Sequence, residues 1–212
     1  VRALARLADR YVDDAFGTAH RAHASTTGLA HELPAAAGRL LLAELQALDS
    51  IVQGPPQPFV AVVGGAKISD KIALLERFAT TAQVLILGGA MANTFLQEAG
   101  VAVGASLVET NAAVTIQRVR EAAKGSGCEL VLPADAVVAD DASADASSQT
   151  VPIDSVPHDQ MILDVGPASL EAYAAALDGA RTVLWNGPVG VYELEPFARG
   201  TLGLARLLAD SP

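Results

Sequence analysis

Two lysines follow a pair of glycines at the end of a short apolar run. Phe59–Val63 is a β-branched, apolar segment that runs into Gly64 and Gly65, and Lys67 and Lys71 come next. Residues four apart are neighbours on a helix, so the spacing predicts that both ammonium groups lie on one face of its first turns. The dipole at a helix start favours anions rather than cations. A bound phosphate would therefore compensate for both charges.

The same sequence of strand and glycines occurs twice more. Val84–Leu87 runs into Gly88-Gly89, and the third ending is the segment 184–193, Leu-Trp-Asn-Gly-Pro-Val-Gly-Val-Tyr-Glu. Three such endings at one edge of a parallel sheet favour a phosphorylated ligand, because α/β proteins bind ligands there. In the third, Glu193 is suited to hold a ribose hydroxyl and Val191 to pack against a base. On these residues alone, the alternative for each ending is a tight structural turn, the third around a buried tryptophan.

The chain lacks the known sequence motifs of several kinds of ligand site. The chain has neither P-loop spacing nor G-x-G-x-x-G with an acidic residue about twenty positions on, which disfavours a dinucleotide oxidoreductase. His20 and His23 lack the further ligands of a metal set, so no metal site is predicted. Arg21 is the better candidate there, because its planar guanidinium matches the oxygens of a carboxylate or phosphate. An ordinary surface arginine is the alternative.

Composition excludes several classes of partner. The net charge of −10 argues against nucleic acid, whose binding needs clustered Lys and Arg. A single cysteine, Cys128, forms no intrachain disulfide and suggests a reducing cytoplasm. We find no apolar run of about 18 residues and no signal peptide, so no membrane partner is expected.

Secondary-structure patterns predict an α/β fold with a Rossmann-like parallel sheet and helices on both faces. A helix is predicted over 34–52, with Pro34 as its first residue and one buried face; a linker follows over 53–58. The acidic, Ser-rich segment 139–157 is predicted to be a surface excursion. The remaining strands and helices are expected near 59–63, 84–87, 129–132, 161–163 and 182–185, and near 69–78, 90–99, 111–124, 168–178 and 196–208.

Five motifs, taken together, closely resemble the phosphoglycerate kinase family. They are collinear and span essentially the whole chain: Asp14 to Ser25 (DAFGTAHRAHAS), Gly64-Gly65-Ala66-Lys67 with Asp70-Lys71, Met91 to Leu96 (MANTFL), Leu163-Asp164-Val165-Gly166-Pro167, and Trp185 to Val191 (WNGPVGV). The resemblance implies reversible phosphoryl transfer from 1,3-bisphosphoglycerate to ADP, giving 3-phosphoglycerate and ATP, with Mg²⁺ bound alongside the nucleotide. It also implies a monomeric glycolytic enzyme of the cytoplasm, with two domains hinged about a long helix.

Carried onto this sequence, the resemblance divides the chain into 1–33, the remnant of the acid-binding domain, the interdomain helix 34–52, and the nucleotide-binding domain 53–212. It implies that Lys67 meets the phosphoryl group in transfer, that Lys71 holds the nucleotide phosphates and that Arg21 binds phosphoglycerate. Glu193 would take the ribose. The remaining residues of the implied nucleotide pocket are Gly65, Gly89, Leu107, Ile162, Leu163, Asn186, Pro188 and Val191.

Departures from the family pattern bear on activity. Ala90 replaces a usual third glycine and Ala43 a common lysine. The family's catalytic arginine and Asp-x-Asn segment would lie before Val1, and its Gly-Gly-Gly-Asp-Thr magnesium loop beyond Pro212. We therefore expect a fragment that binds nucleotide weakly without turnover. The alternative is a non-catalytic nucleotide-binding module derived from the kinase.

Overall fold

The structure is a computed structural model in which residues 1–210 are described. The chain divides into two compact units, Val1–Pro55 and a second that begins at Pro56. The division lies inside the predicted linker over 53–58. Within residues 1–210, no helix has the length and apolar character needed to cross a membrane.

The first unit is small. Its helices are α1 (Arg2–Ala5), α2 (Leu29–Glu32) and α3 (Arg39–Val52), and its strands β1 (Tyr11–Asp13) and β2 (Ala35–Ala37) pair in parallel. The prediction of a helix beginning at Pro34 is therefore wrong. The amide of Gly38 donates to Asp13 O, and Asp14 Oδ1 accepts the Leu41 amide at 2.9 Å. These contacts with the end of β1 and the residue after it hold the chain extended until Gly38. The periodicity of apolar residues cannot predict them, because they join segments distant in the chain.

The predicted buried face of this helix is only partly confirmed. Leu41 is 9% exposed, whereas Leu45 and Leu48 are 43% and 40% exposed. Periodicity indicates that one face of a helix is apolar, but it does not say what covers that face.

A four-stranded parallel sheet forms the centre of the second unit, in the order β5-β4-β3-β9. Its strands are β3 (Phe59–Val63), β4 (Val84–Leu87), β5 (Glu129–Val131) and β9 (Thr182–Asn186). Each side chain of β3 is buried, which explains the uninterrupted apolar run, because a central parallel strand is covered on both faces. The α/β class and the parallel sheet are confirmed.

Helices pack on both faces of this sheet. On one side are α4 (Ile72–Thr81) and α6 (Ala113–Ser126), where the rings of Phe59 and Phe78 meet edge to face with centroids 5.7 Å apart. On the other are α7 (Pro167–Leu177) and α8 (Arg199–Ala209), whose Tyr173 and Leu204 join the core formed with Val60 and Val62. The helix α5 (Gly89–Glu98) follows β4 directly.

A second sheet, antiparallel and in the order β7-β6-β8, was not predicted. It contains β6 (Asp135–Ala139), β7 (Gln149–Pro152) and β8 (Met161–Val165). The prediction that 161–163 joins the parallel sheet is wrong, and the excursion over 139–157 contains a strand. β7 is short and largely exposed, so its sequence carries little apolar alternation, and the irregular segment 140–148 separates it from β6.

The prediction for the two lysines is also corrected in part. A 3₁₀ turn over Ser69–Lys71 leads into α4, so helical structure begins after Lys67. Lys67 therefore lies in the turn that follows β3, and only Lys71 lies at the start of the helix.

Candidate functional site

The carboxyl ends of β3, β4 and β9 open onto a cavity of about 350 Å³ in the second unit. The turn after each strand contributes to its lining, and residues of β8 line it as well. Most of the residues predicted from the sequence to bind nucleotide line it: Gly65, Gly89, Leu107, Ile162, Leu163, Pro188, Val191 and Glu193. Lys71 and Asn186 are outside the lining, although both lie beside the turns.

The three turns interlock through their backbones. Gly89 has φ +65°, and a Cβ atom there would lie 2.8 Å from both the N and the O of Gly65. A Cβ on Gly64 would overlap the carbonyl oxygen of Pro188. The Gly89 amide donates to Val189 O at 3.1 Å, and the Met91 amide to Gly65 O at 2.9 Å. Glycine is required where backbones approach this closely, so this wall of the cavity is built from main chain.

Lys71 joins the ends of two strands. Its Nζ donates to Gly64 O at 2.6 Å and lies 3.4 Å from Asn186 O. Burial lowers the pKa of Lys71, and the nearby Asp70 opposes that shift. Lys71 therefore places a positive charge between β3 and β9, against Gly65. Asn186 contributes its carbonyl oxygen, which accepts both from Lys71 and from the Gly64 amide.

Lys67 is exposed and has a carboxylate beside its turn. Glu109 Oε2 accepts the Ile68 amide at 2.6 Å and the Ser69 amide at 3.1 Å. The pKa of Glu109 is lowered chiefly by hydrogen bonding to the Ser69 side chain, and also by attraction to Lys67. Glu109 therefore fixes the segment that carries Lys67.

The loop 107–109 is anchored to α5. The amide of Glu109 donates to Thr94 Oγ1 at 3.1 Å, and Asn93 Nδ2 donates to Leu107 O at 3.4 Å. Asn93 and Thr94 are each 1% exposed, so two buried polar side chains hold the loop that carries Leu107 and Glu109. Neither Glu109 nor Asn93 was assigned a role from the sequence.

The wall formed by β8 consists of side chains. Ser106 Oγ accepts the Ile162 amide at 2.8 Å, and the Val191 amide donates to Leu163 O at 2.8 Å. Leu163 packs with Phe197, so the apolar wall continues into the core. Met161, Pro133, Ala142, Val189 and Gly190 also line the cavity and were not predicted.

Asp164 is the main omission of the sequence prediction. It lies on β8, lines the cavity and is 1% exposed. Oδ2 accepts the Gly200 amide at 2.7 Å, whereas Oδ1 has no hydrogen-bond partner among the residues that the structure describes. Burial raises the pKa of its carboxyl to about 6. Its motif, Leu163 to Pro167, is one of the five that carry the family resemblance, but the sequence gives no sign that the aspartate is buried.

The first unit holds the remaining predicted residue, Arg21. Its side chain is exposed, and Nε donates to His20 Nε2 at 3.1 Å. Within residues 1–210, no three His, Cys, Asp or Glu side chains are grouped so that they could hold a metal ion. As an anion ligand, Arg21 offers an exposed guanidinium, and its role remains a prediction.

Comparisons with known proteins agree with the resemblance. A sequence model described as "Phosphoglycerate kinase" matches residues 1–212. Proteins named phosphoglycerate kinase from Moorella thermoacetica and Herpetosiphon aurantiacus are each 53% identical over 208 residues, which is 98% of this chain and 53% of each relative. The chain thus spans about half the length of the curated relatives it matches.

Two solved structures show the same fold. The phosphoglycerate kinase of Coxiella burnetii matches with a TM-score of 0.87 and 45% identity, over 98% of this chain and 54% of that one. The phosphoglycerate kinase of Pyrococcus horikoshii matches with a TM-score of 0.82 and 29% identity, over 100% of this chain and 54% of that one.

Proposed function

This chain belongs to the phosphoglycerate kinase family, and from that premise we propose that it supplies the nucleotide site of a glycolytic phosphotransferase. The reaction is the reversible transfer of a phosphoryl group from 1,3-bisphosphoglycerate to ADP, giving 3-phosphoglycerate and ATP. The observation that supports this most is the cavity at the three glycine turns, with eight of the expected nucleotide residues in its lining.

The lining suggests how a nucleotide would bind. Leu107, Ile162 and Val191 offer apolar surface for a base, and the carboxylate of Glu193 offers acceptors for ribose hydroxyls. Lys71 lies beside Gly65, one of the lining glycines, and would neutralise charge on the phosphates. The glycine turns permit close approach of phosphate oxygens to backbone amides.

Phosphoryl transfer needs positioned positive charge rather than a nucleophile from the protein. Lys67 is exposed in the turn after β3, and Glu109 holds that turn. We assign Lys67 to the phosphoryl group in transfer, where its ammonium would stabilise developing negative charge. Arg21 would bind phosphoglycerate through its guanidinium.

Magnesium would accompany the nucleotide. The described residues offer no group of three carboxylate, thiol or imidazole ligands that could hold the ion. These residues therefore do not fit a protein-bound Mg²⁺, and no step is assigned to the ion. A cytoplasmic location and a monomeric state remain predictions.

Titration calorimetry of the 212-residue chain with Mg-ADP tests this proposal. We expect binding, and a more than tenfold higher Kd for Lys71→Ala, equivalent to about 1.4 kcal/mol. Lys124→Ala is the matched control, because that exposed lysine lies on α6, outside the cavity lining. Its Kd should stay within about twofold of the wild type.

Two outcomes would contradict the nucleotide site. One is no heat of binding in a chain that melts cooperatively, and the other is an equal loss for Lys71→Ala and Lys124→Ala. A coupled assay of phosphoryl transfer, with Lys67→Ala as the control, tests whether the 212 residues alone turn over. We expect binding without turnover, and a rate above that control would contradict this expectation.

A further inference from the structure

Asp164 occupies the space between two glycines of different elements. A Cβ atom on Gly190 or on Gly200 would overlap Asp164 Oδ1. Gly190 belongs to the loop 187–191 that follows β9, and Gly200 lies in the first turn of α8. The carboxyl group therefore fills the gap that their missing side chains leave.

The same loop and helix are joined around this carboxyl by hydrogen bonds. Oδ2 accepts the Gly200 amide at 2.7 Å, and Thr201 Oγ1 of α8 accepts the Val189 amide at 3.2 Å. The Val191 amide donates to the carbonyl oxygen of Leu163, the neighbour of Asp164, at 2.8 Å. Three elements, β8, the loop and α8, thus meet at one buried carboxyl group. In the loop, Val189 and Val191 flank Gly190, and both line the cavity.

Asp135 shows what a purely structural buried aspartate looks like in this fold. It lies on β6, next to β8, and both of its oxygens are bonded: Oδ1 to the Ser169 amide and hydroxyl at 2.8 and 2.6 Å, Oδ2 to the Ala168 amide at 3.0 Å. It caps α7 and is absent from the described lining of the cavity. Asp164 caps only one amide, carries an unpartnered oxygen and lines the cavity.

We propose that Asp164 is a positioning residue for nucleotide binding, which sets the loop 187–191 against β8 and α8 so that Pro188 and Val191 face the ligand. This inference rests on the proposed function, because the ligand is the nucleotide assigned there. Asp164 touches the loop through Gly190 and acts on the nucleotide through the loop. No catalytic step is assigned to it.

The test compares Asp164→Ala with Asp135→Ala, using the Kd for Mg-ADP and deuterium exchange without nucleotide. We expect Asp164→Ala to raise Kd more than tenfold and to accelerate exchange over both 187–191 and 199–203. Asp135→Ala should lower the melting temperature and leave Kd and exchange over 187–191 within twofold of the wild type. Asp164→Asn, which keeps an acceptor for the Gly200 amide, should recover part of the affinity.

Equal Kd values for Asp164→Ala and the wild type, or unchanged exchange over 187–191, would overturn the proposal. If Asp164→Ala fails to melt cooperatively, the Kd for Mg-ADP and the exchange over 187–191 are measured on Asp164→Asn instead. Wild-type values in both measurements would overturn the proposal. A wild-type chain that binds no Mg-ADP would instead refute the proposed function. In that case the exchange data still report whether Asp164 holds the loop.

Discussion

The two walls of the cavity are constructed differently. One consists of main chain, in the glycine turns after β3, β4 and β9, where backbone atoms approach so closely that a single Cβ would overlap them. The other consists of side chains on β8 and of Leu107. Ser106 Oγ accepts the amide of Ile162 on β8, and Leu163 packs into the core behind this wall. Main chain cannot repack around an added atom, whereas side chains can adjust. The first wall should therefore tolerate substitution least.

The largest expected effect is that of Gly89→Ala, on the main-chain wall. Alanine would be strained at φ +65°, and its Cβ would press on the backbone of Gly65. We expect a loss of about 2–4 kcal/mol in the free energy of unfolding, measured by denaturant titration, and no detectable Mg-ADP binding.

Gly179→Ala is the matched control for that variant. Gly179 has φ +70°, but a Cβ there would meet nothing within 4 Å, so only the backbone strain remains. Its cost should be about 1 kcal/mol. Equal costs for Gly89→Ala and Gly179→Ala would show that close packing of the turns contributes nothing.

An intermediate effect is expected on the pH dependence of stability, through Asp164 on the side-chain wall. Burial raises the pKa of Asp164 to about 6, so the folded chain binds this proton more tightly than the unfolded chain does. The contribution of Asp164 to stability therefore falls as pH rises from about 4 to about 6 and is then constant. Asp164→Asn cannot ionise and so loses this pH dependence. Between pH 4 and pH 7 its free energy of unfolding should therefore rise by about 2–3 kcal/mol relative to that of the wild type.

Denaturant titrations across that range measure the difference between the two proteins. Asp145→Asn, on an exposed loop, corrects for the loss of one negative charge. A difference between Asp164→Asn and the wild type that does not change with pH would mean that the carboxyl is better solvated than its burial implies.

The smallest expected effect is on the exposed part of the side-chain wall. Leu107 lines the cavity and is 61% exposed, so Leu107→Ala should change the free energy of unfolding by less than about 0.5 kcal/mol. The lost apolar contact with a base should still raise the Kd for Mg-ADP about fivefold, or about 1 kcal/mol. Val114→Ala, at a site 70% exposed and away from the described lining, should leave Kd unchanged. Calorimetry that finds the same Kd for both variants would remove Leu107 from the base site.

The contrast between the walls also explains how much could be predicted from the sequence. The strands β3, β4 and β9 are largely apolar and each is followed by glycine, so a local pattern was enough to place three turns at one sheet edge. The antiparallel sheet depends on pairing of β6 with β7, across the irregular segment 140–148, and with β8, and β7 lacks a local apolar pattern. Its place in the fold could not be found from periodicity.

The same limit applies to single residues. Gly65 and Gly89 could be selected because glycine after a strand has a direct backbone meaning. Asp164 could not, because its hydrogen-bond partner, Gly200, lies 36 residues along the chain and its burial follows from packing. The predicted start of α3 is wrong for a similar reason. The Gly38 amide donates to Asp13 O in β1, and the Leu41 amide donates to Asp14 Oδ1 just after that strand.

Lys71 has a consequence for the thermodynamics of binding. An ammonium has three N–H donors, and in this protein the Lys71 Nζ already points at the carbonyl oxygens of Gly64 and Asn186. Its rotamer entropy, up to about 2 kcal/mol for a lysine, is thus largely lost on folding rather than on meeting an anion. The lysine is preorganised, so the charge attraction that an arriving phosphate gains is offset little by the ordering of this side chain.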